Sequence, residues 1–223
     1  MKKFEIMMRF FLKKITEKRE RILISFCFGF LASCGRSPES KAYFLSHHPL
    51  DKSARPLRHY PVARQGELTA WITSDHVKSS QSWLFTPNDN IPKYPIVGQI
   101  RAKDMPERTK HDGSFLVVSG YEGPLYDFWL GSEGEGQMFT GNGGWVPVVL
   151  WDDSKARTWV RSQNPIGGWS GFPVVIGDPS NPDAIVGAMW YRANQDHRIG
   201  GTTSSRLLKS WISKLDLEQF VTK

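Results

Sequence analysis

The chain has 223 residues, 39% of them hydrophobic, with 29 basic against 22 acidic side chains and a formal net charge of +7. Eight of the basic and three of the acidic residues lie in the first 21 positions, and without them the net charge falls from +7 to +2. So nearly neutral a chain lacks the concentrated basic surface that a phosphate backbone demands, which argues against nucleic acid as a partner.

In chain order, the basic stretch from Lys2 to Arg21 leads into an apolar run, Ile22 to Leu31. A run of about ten residues suits the core of a secretion signal, whereas a membrane-spanning helix needs roughly twenty. Leu31-Ala32-Ser33-Cys34 then resembles the bacterial lipobox, in which small residues precede a cysteine that is cut free and carries diacylglycerol. Residues 1–33 are therefore expected to be a lipoprotein signal peptide. Cys34 becomes a lipidated N-terminus that holds the protein to a membrane of the bacterial cell envelope, periplasmic or outer. Of the two cysteines, Cys27 leaves with the signal and Cys34 is lipidated, so no disulfide is expected.

From residue 34 to 64 the sequence is polar and carries Pro38, Pro49, Pro56 and Pro61 without helical or alternating periodicity, which reads as a tether. His47 and His48 have no cysteine or carboxylate at ligand spacing, so a solvated linker is expected there; neither metal nor cofactor is called for. The remaining residues, 65–223, suffice for one domain without a covalent staple.

Past Glu67 short runs rich in Val, Ile, Trp, Phe and Tyr alternate with Gly, Pro, Asn and Asp clusters. Strands are predicted at Leu68–Thr73, Ser82–Phe85, Ile96–Ile100, Ser114–Ser119, Tyr126–Leu130, Trp145–Trp151, Thr158–Arg161, Pro173–Ile176 and Ile185–Tyr191. Only the last stretch changes period: Leu207, Leu208, Trp211, Ile212 and Leu215 recur at helical intervals behind Ser204 and Ser205, either of which suits a helix cap. The class is all-β with one C-terminal helix.

Three segments carry the chemistry. Gly167-Gly168-Trp169-Ser170-Gly171-Phe172-Pro173 is a glycine-flanked serine that leads into the apolar run Val174-Val175-Ile176. Ala70-Trp71-Ile72-Thr73-Ser74-Asp75-His76-Val77 ends a predicted strand on a histidine, and Asp112 immediately precedes the apolar Phe115-Leu116-Val117-Val118. In this order, with Ser170 lying 94 residues after His76, the segments resemble those of the trypsin-like serine proteases.

The resemblance implies two packed antiparallel β-barrels with a terminal helix. It also implies Ser170 as nucleophile, His76 as general base and Asp112 as the carboxylate that orients His76, with Asp104 and Asp127 as the alternative acids. The N–H groups of Gly168 and Ser170 would form the oxyanion hole, because a glycine can aim its amide where most residues with a Cβ would resist. Trp190, Tyr191 and Arg192 fall on the family's substrate-binding edge, and the implied partner is a peptide or protein substrate.

The sequence departs from the family in three places. Phe172 replaces a small residue two places after the nucleophile, and its ring must find a pocket or crowd the loop. Asp75 puts a charge beside the expected base. Arg192 stands where a glycine is common, which would fill the first specificity pocket or make it receptive to acidic side chains. Two further readings compete with a lipid-anchored endopeptidase: a protease-like lipoprotein that binds peptides or a partner without turnover, and a sugar-binding β-sandwich suggested by the nine tryptophans. The sandwich leaves the ordered His, Asp and Ser segments unexplained.

Overall fold

The computed structural model describes residues 43–47, 56–75, 83–86, 91–105, 112–140, 144–153, 156–165, 170–192 and 196–222. All belong to one compact unit, residues 41–223. The expected signal peptide and Cys34 lie outside the described residues.

Seven strands form an antiparallel sheet: β1 (Phe44–His47), β2 (Pro56–His59), β3 (Pro61–Gln65), β4 (Leu68–Ser74), β5 (Trp83–Phe85), β6 (Pro92–Ile100) and β7 (Gly113–Ser119), ordered β2-β1-β5-β6-β7-β4-β3. Its two outermost strands, β2 and β3, are separated in the chain by Tyr60 alone. A sheet whose ends are consecutive in sequence must curl, and this one is a half-barrel. The other six strands, β8 (Glu133–Phe139), β9 (Trp145–Asp152), β10 (Arg157–Ser162), β11 (Pro173–Asp178), β12 (Asn181–Arg192) and β13 (Ile199–Thr203), close into a barrel in the order β10-β13-β12-β11-β8-β9.

β4 and β7 read as nearly unbroken apolar runs because both their faces are covered. Trp71, Leu116 and Val118 point into the half-barrel with Phe44 and Tyr121. Ala70, Ile72, Phe115 and Val117 face the opposite way, into a cluster shared with Val175 and Ile185 of the closed barrel and with Leu208 and Trp211. The latter two belong to helix α1 (Ser205–Ile212), whose apolar stripe is thereby buried in the seam between the sheets. Ser204 sits at the cap position, but its hydroxyl donates to Asp152 Oδ2 at 3.2 Å rather than accepting from the helix's own amides.

Strand structure begins earlier than the predicted start near Glu67, because β1, β2 and most of β3 lie within 34–64. Pro56 and Pro61 are each the first residue of their strand, a place where a missing N–H breaks no ladder. Conversely, the run predicted as a strand at Tyr126–Leu130 makes one isolated bridge, Phe128 to Ile185. It is the link that runs beside β12 between the two sheets.

Candidate active site

β4 and β7 pair without interruption from Leu68 opposite Ser119 to Ser74 opposite Gly113. The ladder then continues one step beyond the strands, with Asp75 N–H donating to the Asp112 carbonyl at 2.7 Å. Asp112 is thus fixed beside the residue that immediately precedes His76 in the chain; His76 itself lies outside the described residues. A Cβ on Gly113 would lie 2.7 Å from Leu208 Cδ2 and 2.8 Å from Thr203 Oγ1, so a larger residue there would have to displace side chains of β13 and α1, against which the strand packs at the seam.

The charge on Asp75 is answered locally. Arg101 Nε donates to Asp75 Oδ1 at 2.7 Å, and this hydrogen bond, with the attraction behind it, raises the guanidinium's pKa. Nothing in the sequence marks Arg101, which stands 26 positions away and meets Asp75 only through the sheet. The two alternative acids are engaged elsewhere. Asp104 Oδ2 accepts from Arg101 N–H at 3.1 Å in a short 3-10 turn, and the exposed Asp127 lies 3.7 Å from Lys209 Nζ.

Ser170 is half-buried in the turn that opens β11. Gly171 takes a φ of +83°, a left-handed conformation that strains any residue with a Cβ. It is clamped to β12: Gly171 N–H donates to Met189 O at 2.7 Å, and Met189 N–H donates back to Phe172 O at 2.9 Å. The serine turn is therefore held against the strand that runs on into Trp190, Tyr191 and Arg192. There a bulge breaks the register, with Met189 opposite Thr202 but Tyr191 opposite Gly201. Gly168 lies outside the described residues.

Phe172 finds its pocket. Only 2% exposed, its ring meets Phe139 edge-on at 4.9 Å and packs with Leu57 and Trp145. Leu57 comes from β2, so this side chain ties the serine turn to the half-barrel. Arg58 covers the same cluster, its guanidinium 4.1 Å from the Phe139 ring and 4.5 Å from that of Tyr43, and burial lowers its pKa. Trp190 is half-buried beneath the Arg157 guanidinium, 5.3 Å from the ring centre.

A half-barrel and a closed six-stranded barrel packed about a shared seam, with one terminal helix, define the chymotrypsin-like fold. Solved structures agree. The chain is similar to kallikrein-related peptidase 10 in complex with Zn2+ (TM-score 0.55, 14% identity, covering 81% of this chain and 97% of that one). It is also similar to the Rv3671c protease of M. tuberculosis in its active form (TM-score 0.51, 13% identity, 83% of each chain). A third likeness is to the thermostable serine protease AL20 from an extremophilic microorganism (TM-score 0.52, 12% identity, 77% and 94%). No protein-family model and no curated protein sequence matches the chain. At these identities the likeness shows the fold.

Proposed function

We propose that this chain is a lipid-anchored, extracytoplasmic serine endopeptidase. The observation that carries the reading is the 2.7 Å hydrogen bond from Asp75 to Asp112, which holds the predicted acid beside the residue that leads into the predicted base. The clamp of Gly171 on Met189 supports it from the other barrel, and the buried seat of Phe172 and the pairing of Asp75 with Arg101 answer two of the three departures from the family pattern.

In this mechanism Ser170 Oγ attacks the scissile carbonyl while its proton passes to His76. Asp112 accepts a hydrogen bond from the other ring nitrogen of His76 and stabilises the imidazolium. The N–H groups of Gly168 and Ser170 hold the oxyanion of the tetrahedral intermediate. His76 then returns the proton to the leaving amine, which departs as the carbon–nitrogen bond breaks and leaves an ester on Ser170. Water, deprotonated by His76, cleaves that ester to release the acid and restore the serine. Trp190, Tyr191 and Arg192 line the edge along which the peptide lies, and the lipid on Cys34 keeps the domain at the membrane.

A fluorophosphonate probe tests the chemistry: it should label the wild-type protein and leave Ser170→Ala and His76→Ala unlabelled. A folded wild type that never labels would leave the non-turnover binding reading in its place. Mass spectrometry should find an N-terminal fragment beginning at a diacylated Cys34, and an intact, unlipidated Met1 from an exporting bacterial host would remove the anchor from the proposal.

A further inference from the structure

We propose that Arg58 selects the substrate of the endopeptidase: its guanidinium takes an acidic side chain of the peptide bound at Ser170. The inference rests on the reading of Ser170 as nucleophile and adds a substrate class to it. Arg58 lies on β2 next to Leu57, whose side chain packs against Phe172. Its guanidinium is 4.1 Å from the Phe139 ring centre, and that ring meets Phe172, two residues past Ser170, at 4.9 Å. By way of these two contacts the cation is at most about 20 Å from Ser170, the reach of roughly six extended residues.

What sets Arg58 apart is a shortage of acceptors. A guanidinium carries its N–H donors in a planar fork and has no acceptor of its own. Arg58 gives one hydrogen bond, from Nη1 to the Tyr43 hydroxyl at 2.6 Å, and its buried Nε has no acceptor among the described residues. The titratable side chains beside it are Tyr43 and Tyr60, hydroxyls rather than carboxylates. Other arginines are answered by the fold. Arg64 donates to the carbonyls of Tyr121 and Gly123, Arg101 donates to Asp75, and Arg206 lies 3.6 Å from Asp152.

The surrounding rings hold this cation without pairing its charge. Tyr43, Phe139 and Trp145 attract the guanidinium from 4.5, 4.1 and 5.7 Å, but a ring does not take up the N–H donors as a carboxylate does. Burial meanwhile strips water from the charge, a cost that a bound anion would offset. Arg58, Tyr43 and Trp145 are each only half-buried, so a ligand can meet the cation from solvent. A guanidinium already ordered by three rings loses little freedom on gripping a carboxylate, which matches it in shape and charge. An amide of the same shape offers one neutral oxygen, and an ammonium is repelled. The substrate that fits carries Asp or Glu within about six residues of the scissile bond.

Fluorophosphonate labelling of the full chain, slowed by competing peptides, tests this. Three pools of end-blocked dodecapeptides, random in Ala, Gly, Ser and Leu, carry in addition Glu, Gln or Lys at one position in three. The Glu pool should halve the labelling rate at a concentration at least tenfold below that of the Gln pool, with the Lys pool weakest. In Arg58→Gln the Glu and Gln pools should come within twofold of each other, and in Arg58→Glu the Lys pool should become the strongest. Each comparison is a ratio within one protein, so a change in its overall labelling rate does not enter. A wild type that labels but treats Glu and Gln alike, or responds to no pool at millimolar concentration, overturns the inference and leaves the endopeptidase standing. So does an acidic preference that survives Arg58→Gln; its loss in Arg192→Gln would then place it on the substrate-binding edge. Should neither Arg58 variant label, Arg192→Gln decides, since it keeps the acidic preference if Arg58 carries it and loses it otherwise. A folded wild type that never labels removes the endopeptidase reading, and this inference with it.

Discussion

The two sheets are filled differently. Inside the half-barrel, rings pack against rings: Phe44 meets Trp71 at 5.6 Å and Tyr94 at 5.1 Å, and Trp71 meets Tyr121 at 4.8 Å. Among the described residues the buried core of the closed barrel is Met138, Val148, Leu150, Val160, Val174, Val186 and Met189, all aliphatic, with the partly buried Trp129 packed against it. A closed barrel of few strands leaves room for little beyond branched and flexible aliphatic chains, whereas a curled open sheet has a wider hollow that flat plates fill better. The half-barrel also buries a titratable side chain, His59, beside the neutral hydroxyl of Ser46, 1% and 0% exposed. The predicted acid stands at the end of the ring-filled sheet and the predicted nucleophile at the mouth of the aliphatic one, so the proposed chemistry depends on how firmly the two are joined.

The largest effect expected tests that division of labour. Ser170→Ala removes the nucleophile from the closed barrel and should lower turnover on the order of a million-fold, because the members of such a site act as a unit. Thermal melting should be almost unchanged, since the hydroxyl is half-buried in a turn and supports neither core. A fluorogenic peptide assay and a melting curve on the same preparation would decide it; residual turnover near the wild-type rate would place the nucleophile elsewhere.

Next in size is the joint itself. Phe172→Ala empties a site where Leu57 of one sheet meets Phe139 and Trp145 of the other, and truncating a buried phenylalanine costs about 3 to 5 kcal/mol. Denaturant unfolding should show a loss of this order. A loss below about 1 kcal/mol would mean that the ring does not hold the sheets together.

This residue also shows what a sequence can and cannot disclose. That Phe172 needed a pocket was legible from its place after the serine, but the pocket was not. Leu57 and Phe139 lie far off in the chain, Leu57 in a stretch whose prolines hid β2. Strands β4, β6, β7, β9 and β12 were legible because apolar β-branched and aromatic residues cluster in them. β8 was not, because it reads Glu-Gly-Glu-Gly. Gly136 is there for closeness, since a Cβ would lie 2.7 Å from Val175 O on the adjacent strand β11. The order of His76, Asp112 and Ser170 was readable, yet the pairing of Asp75 with Arg101 arises only when β4 and β6 flank β7.

A third effect distinguishes the sheets by pH. His59 Nδ1 faces the Ile72 carbonyl at 3.2 Å, an acceptor only, so this nitrogen carries the proton and Nε2 accepts from Ser46 Oγ at 2.5 Å. Burial pushes the pKa of the ring from the ordinary 6.5 down to about 4. Above 6.5 neither the native nor the unfolded chain protonates it. Between 6.5 and 4 the unfolded chain binds a proton that the native one refuses, so native stability drops as the pH is lowered through that window, by roughly 3 kcal/mol in all. His59→Gln, which keeps a donor and an acceptor, should flatten that part of the stability profile. A slope unchanged by the substitution would show that another group titrates there.

The smallest effect in energy bears most directly on the site. Asp75 and Arg101 are 20% and 35% exposed, and a pair so open to water contributes about 0.5 to 1 kcal/mol, measurable by a double-mutant cycle. Its consequence for chemistry is larger than its contribution to stability. With Arg101 in place the Asp75 carboxylate is neutralised; Arg101→Ala leaves that charge unanswered one residue from His76. A nearby negative charge favours the protonated imidazole, and a general base must be unprotonated to accept the serine's proton. The acid limb of the fluorophosphonate labelling profile should therefore move to higher pH in Arg101→Ala, with the labelling rate at alkaline pH little changed. Adding Asp75→Asn to that variant removes the charge and should bring the limb back. If Arg101→Ala slows labelling equally at every pH, the arginine supports the shape of the half-barrel's end rather than its electrostatics. If the doubly substituted protein keeps the shifted limb, the carboxylate that perturbs the base is one other than Asp75.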